Sequence, residues 1–393
     1  MTTAAAGTRY AVGDPFELTT ELSDEERLIQ QTVREWVARR FLPIVGEAWR
    51  AGELPAGIAR ELGQLDLLGM HLDGYGCAGA SATAYGLTCL ELEAGDSGLR
   101  SLVSVQGSLA MYAIHAFGSE EQRQRWLPGM AAGEIIGCFG LTEPDAGSDP
   151  LAMRTSARRA GGDWILNGTK MWITNGSRAG VAVVWARTDE GIRGFLVPSE
   201  ARGFTAVDIK DKLSLVASTT SELVFEDCRV PDDARLPGVT SLRGPLSCLD
   251  EARYGIVWGA VGAARACLEA ALDYTASRVS FGSPIASRQL VQQDLAEMHV
   301  AVNNGLLIAS RIGRLKDRGR ALPEHISYGK LHNVRMALEV SRKARQLLGA
   351  NGITLEYPVM RHMTNLESVV TYEGTQQVHT LVLGRALTGH SAF

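Results

Sequence analysis

The chain has 393 residues, 45% of them hydrophobic, enough for a large core spread over two or three domains in one unit. Its formal net charge of −5 is weak and mixed along the chain, which argues against a nucleic-acid partner, and no apolar run approaches the ~20 residues of a membrane span. Residues 1–16 lack a basic stretch followed by an apolar core, so no secretory signal is read there. Six scattered cysteines without a C-x-x-C pair speak against a disulfide framework or a metal cluster and for a reducing, cytoplasmic setting.

Residues 21–135 read as helices. Ser23 caps the first, with acids behind it and apolar residues at Leu28, Val33, Val37 and Phe41; Pro43 is expected to close it, and a second cap stands at Ser119. From about Ile135 the pattern turns to short alternating runs. "DWILNGTKMWITNG" holds two Asn-Gly pairs, Asn167-Gly168 and Asn175-Gly176, each a hairpin or turn signal. From about Leu246 longer helices return, with stripes over 255–278, 286–318, 324–348 and 374–388 that imply a bundle. The expected organisation is α+β and multidomain: a helical domain over 1–135, a β-barrel-like domain over 136–237 and a four-helix bundle over 238–393. Abundant Gly and Ala with only 6% aromatics suit closely packed helices.

Four stretches could carry chemistry. "CFGLTEPDAGSDP" leaves a strand for a turn in which Thr142, Gly147 and Ser148 offer hydroxyls and backbone donors to a polar ligand; an ordinary Asx-type loop has the same composition. Trp172 and Thr174 are two apart, so in a regular strand an indole and a hydroxyl share a face, as beside a flat ring or in a half-buried hairpin. Arg100 sits in a small, apolar stretch seven residues after Glu93, two turns away on one helix, and an inward Arg needs an anion: Glu93 itself, or a ligand carboxylate. Glu373 is a lone acid at the entry to an apolar helical pattern. Buried, it would have a raised pKa and could act as a base; in a first helical turn it would only complement the helix dipole.

Taken in order, "GLTEPDAGSDP", "GTKMWITNG", "RVSFGSPI", "QLLGANGITLEYP" and "YEGT" resemble the acyl-CoA dehydrogenase family over residues 20 to the C-terminus. "DSGLRSLVSVQGSLAM" and "TYEGTQQVHTLVLGRALTGHSAF" are most similar to its glutaryl-CoA dehydrogenase subgroup, with departures at Leu99, where an aromatic is expected, and at Gln376-Gln377, a more acidic pair in the subgroup. The resemblance implies a homotetramer holding FAD, with electrons passed to an electron-transfer flavoprotein. It implies that Glu373 is the catalytic base, its backbone N–H and a flavin hydroxyl binding the thioester oxygen while a β-hydride passes to the flavin. It implies that Arg100 and Ser101 hold a distal carboxylate, tuned by Glu93, and that loss of CO2 then gives crotonyl-CoA.

The same resemblance matches Ser148, Leu249, Arg253, Tyr372 and Gly374 to the acyl-CoA, and Phe139, Leu141, Thr142, Gly147, Ser148, Trp172 and Thr174 to the flavin region. Arg278, Phe281 and Gln289 match the adenine and pyrophosphate end together with Gln346 and Gly349 of a neighbouring subunit. Thr375 and Gln377 match further FAD contacts, and no metal is implied. The competing readings are a dehydrogenase of neutral short-chain thioesters, an oxidase of the same fold using O2, and a non-catalytic helical scaffold.

Overall fold

The computed structural model describes residues 13–392; residues 1–12, most of the stretch read above for a leader, lie outside the described residues. Helix α1 (Asp24–Trp36) begins in a capping box: Ser23 Oγ accepts from Glu26 N at 3.1 Å, and Glu26 Oε2 accepts from Ser23 N at 2.9 Å. Pro43 does not close this helix. The chain widens into a π-type turn at Val37–Phe41, tightens into a 3₁₀ turn at Leu42–Ile44 and continues as α2 (Val45–Ala51). Pro43 sits at the start of that 3₁₀ turn, where its missing N–H leaves no bond unmade. Leu28, expected on the apolar stripe, is 65% exposed, whereas Val33, Val37 and Phe41 are buried.

The N-terminal helices continue through α3 (Ile58–Gln64), α4 (Ala82–Gly95), α5 (Ser97–Ser104), α6 (Tyr112–Phe117) and α7 (Glu120–Ala131), with a small hairpin of β1 (Asp73–Gly74) and β2 (Cys77–Ala78) between α3 and α4. A curled sheet follows. It comprises β3 (Gly137–Gly140), β4 (Ser156–Ala160), β5 (Asp163–Thr174), β6 (Val181–Thr188), β7 (Gly191–Pro198), β8 (Phe204–Asp208) and β9 (Thr220–Pro231). Its order is β3-β6-β4-β5-β9-β8, with β7 also paired to β6. Its own small core gathers Trp164, Leu166, Phe195 and Phe225.

Asn167-Gly168 is not a hairpin turn. It lies inside β5 as a bulge, the register against β9 shifting between Leu166 and Gly168, whose φ is 142°. Asn175 does turn the chain, in the left-handed region at φ 65°.

The C-terminal part is α8 (Arg243–Ser277), a hairpin of β10 (Val279–Ser280) and β11 (Ser283–Pro284), then α9 (Gln289–Asp317), α10 (Pro323–Leu347), α11 (Val359–Val369) and α12 (Gln376–Thr388). Three helices are long; α12 has 13 residues, and a further helix of 11, α11, precedes it. By length and composition α8 could cross a membrane, but most of its apolar stretch is buried inside the protein, packed against α4 and α10. Small residues permit that approach. A Cβ on Gly262 would stand 1.9 Å from the Leu90 carbonyl oxygen of α4, and one on Gly86 would stand 2.3 Å from Trp258 Nε1 of α8.

Gly262→Ala should therefore force α4 and α8 apart. The expected cost is about 1–3 kcal/mol, the range for overpacking a well-filled core. A lower thermal midpoint with unchanged secondary-structure content checks it; an unchanged midpoint would show that the interface relaxes.

Candidate active site

Glu373 lies in the turn between α11 and α12, before the helix rather than in its first turn: Thr375 is the N-cap, its Oγ1 accepting from Val378 N at 3.3 Å. It is therefore not a first-turn acid of α12. Glu373 and Gly374 both have positive φ, 51° and 96°. A left-handed glutamate costs about 1–2 kcal/mol relative to the right-handed form, so something must hold it. Two cations do. Lys330 of α10, 2% exposed, donates from Nζ to the carbonyls of Tyr372 and Gly374, the latter at 2.6 Å. Arg253 of α8 donates from Nε to the Glu373 carbonyl at 2.7 Å and from Nη1 to Asp250 at 3.0 Å.

The Glu373 atom Oε2 is buried without a hydrogen-bond partner. Burial raises the carboxyl pKa, and the charges of Arg100, Lys330 and Arg253 partly offset that. Burial in turn lowers the Lys330 ammonium to about 7, against the pull of Glu373. His379 of α12, 1% exposed, packs behind the turn and shares a 3.1 Å hydrogen bond between its Nδ1 and Ser327 Oγ. Burial first, then Lys330 and Arg253, pushes its pKa down to about 3, so it is a neutral neighbour of the turn.

Glu93 and Arg100 do not share one helix. The chain breaks at Asp96, which is extended and accepts from Gly98 N at 2.7 Å, so Glu93 lies in the last turn of α4 and Arg100 in the first turn of α5. They still meet: Arg100 Nε donates to Glu93 Oε2 at 2.6 Å, both side chains fully buried. Arg100 Nη2 donates to the Tyr372 hydroxyl, and Ser101 Oγ lies 3.4 Å from the same oxygen. Three buried polar atoms are left without partners: Arg100 Nη1, Glu93 Oε1 and, one turn further along α5, Ser104 Oγ. Burial alone would lower the Arg100 pKa, but Glu93, with Tyr372 and Glu373 behind it, carries it above its ordinary range. These groups can serve a small anion at Arg100 and a proton at Glu373.

A second group lies at the sheet edge. Phe139 and Leu141 leave β3 buried, Thr142 is half-buried, and Gly147 and Ser148 are exposed on the loop; Leu249 is half-buried on α8. Met171 N donates to the Thr142 carbonyl at 2.9 Å, fixing the loop beside β5. The Trp172–Thr174 face is not a regular alternation: a second bulge falls between Lys170 and Ile173, Trp172 takes φ 64° and its ring is 60% exposed, while Thr174 is half-buried. Below them Lys170, fully buried, donates to the Leu141 carbonyl at 3.0 Å and to Glu143 at 2.8 Å, and Glu143 accepts from the Arg154 and Thr155 amides.

A third group is remote. Arg278 and Phe281 follow α8, 25 residues beyond Arg253, roughly 38 Å along the helix. Phe281 is 96% exposed, and Gln289, Gln346, Gly349 and Gln377 are exposed too. The turn holding Gly349 joins the same end of α8 through Asn351 Nδ2, which donates to Tyr274 OH at 3.0 Å. So Arg278, Phe281, Gln346 and Gly349 cluster at one end of the bundle, apart from Glu373.

The residues missed in the sequence are Lys330, His379, Ser104 and the Glu143–Lys170 pair. Lys330 did leave a signal: it occupies a core position of the α10 stripe Ile326, Val334, Ala337.

The sequence matches "Acyl-CoA dehydrogenase, N-terminal domain" over residues 23–134, "Acyl-CoA dehydrogenase, middle domain" over 138–228 and "Acyl-CoA dehydrogenase, C-terminal domain" over 243–388. The fold is similar to a glutaryl-CoA dehydrogenase from Mycobacterium smegmatis, 64% identical with TM-score 0.96, covering 98% of this chain and 100% of that one. A glutaryl-CoA dehydrogenase of that organism in complex with FADH2 is 57% identical with TM-score 0.96 and the same coverage. The mitochondrial short-chain specific acyl-CoA dehydrogenase of Homo sapiens is 36% identical over 371 residues, 92% of this chain and 90% of its own.

His379 makes stability fall with acid. Its folded pKa of about 3 lies below the unfolded value of 6.5, so its contribution is complete above 6.5 and is lost as pH falls toward 3. Between pH 7.5 and 5 this amounts to about 2 kcal/mol at 1.36 kcal/mol per unit. Thermal midpoints at the two pH values should differ less in His379→Gln than in the parent; equal differences would place the acid sensitivity elsewhere.

Proposed function

We infer the reaction from one premise: this chain belongs to the acyl-CoA dehydrogenase family, whose members use FAD to introduce an α,β double bond into acyl-CoA thioesters. Within that family we propose glutaryl-CoA as substrate, oxidised and decarboxylated to crotonyl-CoA and CO2, with electrons leaving to an electron-transfer flavoprotein. The observation that carries the substrate is the buried Arg100, paired with Glu93 yet holding one guanidinium nitrogen, Nη1, unpartnered, as is Ser104 Oγ one turn on along α5. Leaving a cationic donor unmatched in a dry pocket is costly, and a distal carboxylate would match it. The likeness to glutaryl-CoA dehydrogenases supports the same choice.

The residues proposed to hold FAD suit a flat ring with a polar chain. An exposed Trp172 indole stands in β5 with the Thr174 hydroxyl, next to the loop carrying Thr142, and at Gly147 nothing lies within 4 Å of where a Cβ would be. When bound, FAD supplies the hydride acceptor. Phe139, Leu141 and Ser148 would line its neighbourhood, while Leu249, Arg253, Tyr372 and Gly374 would face the acyl-CoA. The remote cluster of Arg278, Phe281, Gln289, Gln346 and Gly349, with Thr375 and Gln377, would serve the nucleotide end in a homotetramer.

The chain's own part in the chemistry follows. Glu373, its pKa raised by burial, takes the α-proton, and its backbone N–H binds the developing thioester oxyanion, an interaction of about 3 kcal/mol by analogy with oxyanion holes. Arg100 keeps the γ-carboxylate fixed while the β-hydride departs. The carboxylate is then vinylogous to the carbonyl, so the C–C bond breaks, its electron pair entering a dienolate held by the same donors as CO2 leaves. Glu373, now protonated, returns its proton to give the crotonyl thioester. The second reading, a short-chain dehydrogenase without decarboxylation, draws on the human relative; it leaves Arg100 Nη1 without a function.

Two variants test this. Glu373→Gln should retain FAD and acyl-CoA binding but lose flavin reduction by ~10²-fold or more. Arg100→Gln should lose glutaryl-CoA turnover far more than butyryl-CoA turnover, by roughly 2–5 kcal/mol or about 30-fold to several-thousand-fold in kcat/KM. Equal losses for the two thioesters, with a lower Tm, would make Arg100 a structural partner of Glu93 and leave only the dehydrogenase.

A further inference from the structure

Lys330 reaches the catalytic turn from α10, whose one residue in the site read from the sequence, Gln346, lies in the remote cluster. Its Nζ donates to two carbonyls, of Tyr372 and Gly374, one on each side of Glu373. Arg253 takes the carbonyl between them. Three successive carbonyls are thus drawn toward two cations, which fixes Glu373 and Gly374 at positive φ and so fixes where the Glu373 side chain starts. Both cations approach the Tyr372 ring, Lys330 with Nζ 5.8 Å and Arg100 with its guanidinium carbon 5.7 Å from the centroid. Lys330 is 2% exposed, and no carboxylate forms an ion pair with it among the described residues. The anion whose field it feels most is Glu373 itself.

We propose that Lys330 is a positioning residue for the base: its buried ammonium clamps the turn that carries Glu373 and, as the nearby cation without a carboxylate partner of its own, keeps Glu373 ionised in the working pH range. This rests on the assignment of Glu373 as the base. Arg100 acts on Glu373 more strongly than Lys330 does, but it is paired with Glu93, which opposes it, and Arg253 is paired with Asp250, so Lys330 is the cation whose charge no carboxylate other than Glu373 engages. The remaining groups facing the turn are Tyr372, whose phenol burial pushes upward, neutral His379 on α12 and the buried Cys89 thiol on α4. None of these supplies positive charge.

The test is the pH profile of flavin reduction in the holoenzyme under anaerobic conditions, with saturating acyl-CoA. Lys330→Met should reduce the rate by about tenfold or more at pH 7 and move the acid limb to higher pH by about one unit, because a carboxylate deprived of a nearby cation is harder to ionise. Lys330→Arg, which keeps the charge, should leave the acid limb in place even where the rate falls. If Lys330→Met does not fold, Lys330→Gln keeps one donor without charge and should show the same shift. An acid limb unmoved in the uncharged variants overturns the proposal and makes Lys330 structural only. Glu373→Gln is run in parallel: near-normal flavin reduction there overturns the base assignment and this proposal together, whereas loss there with an unmoved limb in Lys330→Met overturns this proposal alone.

Discussion

Burying one carboxylate among three cations is the constraint around which this molecule is arranged. Each of Arg100, Arg253, Lys330 and Glu373 loses water on folding, and a lone buried charge would discharge rather than stay. They remain compatible because each cation has fixed acceptors: Glu93 and Tyr372 for Arg100, Asp250 and the Glu373 carbonyl for Arg253, two backbone carbonyls for Lys330. Those groups come from α4, α5, α8, α10 and the α11–α12 turn, so the site exists only when the first and last thirds of the sequence pack as one body. The tight seat of α4 on α8 at Gly86 and Gly262 serves that end. Gly259 shows the tolerance directly, since a Cβ there would stand 2.0 Å from Glu93 Oε2.

Further buried polar links tie the intervening parts to this centre. Asp96, at the break between α4 and α5, accepts from Arg361 at 2.6 Å and from Asn365 at 2.9 Å, both on α11. Asn365 in turn accepts from Leu215 N, in the segment between β8 and β9, at 2.8 Å. The break that turns Arg100 inward is therefore bonded to the helix that leads into Glu373 and to the sheet domain. On the other side, the Glu143–Lys170 pair holds the Thr142 loop to β5 from below, burying a charge pair where its polar atoms are all bonded. Burial pulls the Lys170 ammonium to about 8, with Glu143 opposing.

Periodicity and punctuation carried the architecture. Caps at Ser23 and Ser119, the switch from helical to alternating patterns near Ile135 and the long stripes after Leu246 were all visible, because each is a local property of ten or so residues. Three kinds of feature were not. Bulges at Asn167-Gly168 and at Trp172 depend on what the facing strand demands, so in sequence the Asn-Gly pair reads as a turn. The break at Asp96 depends on its contacts to α11, more than 260 residues away, so Glu93 and Arg100 were placed on one helix. Lys330 was visible as a lysine in an apolar stripe, but the two carbonyls that it serves lie more than 40 residues on, and backbone carbonyls leave no mark in a sequence. Glu373 stood out for the opposite reason: a lone acid among apolar neighbours is conspicuous wherever it falls.

The placement of Glu373 on a left-handed turn rather than inside α12 has a chemical consequence. In a helix the residue's N–H and C=O are committed to the ladder, and its side chain points back over the preceding turn. At φ 51° the carbonyl is turned toward Arg253, and the N–H belongs to no helix. In the proposed reaction one residue would then present both a carboxylate to an α-proton and an amide to the oxygen of the same thioester, two groups joined by a short covalent path. A base and an oxyanion donor supplied by different elements would have to be aligned by packing; here the alignment is built into one residue. The cost is a strained backbone, and that is why cations from two different helices converge on the carbonyls of this short turn.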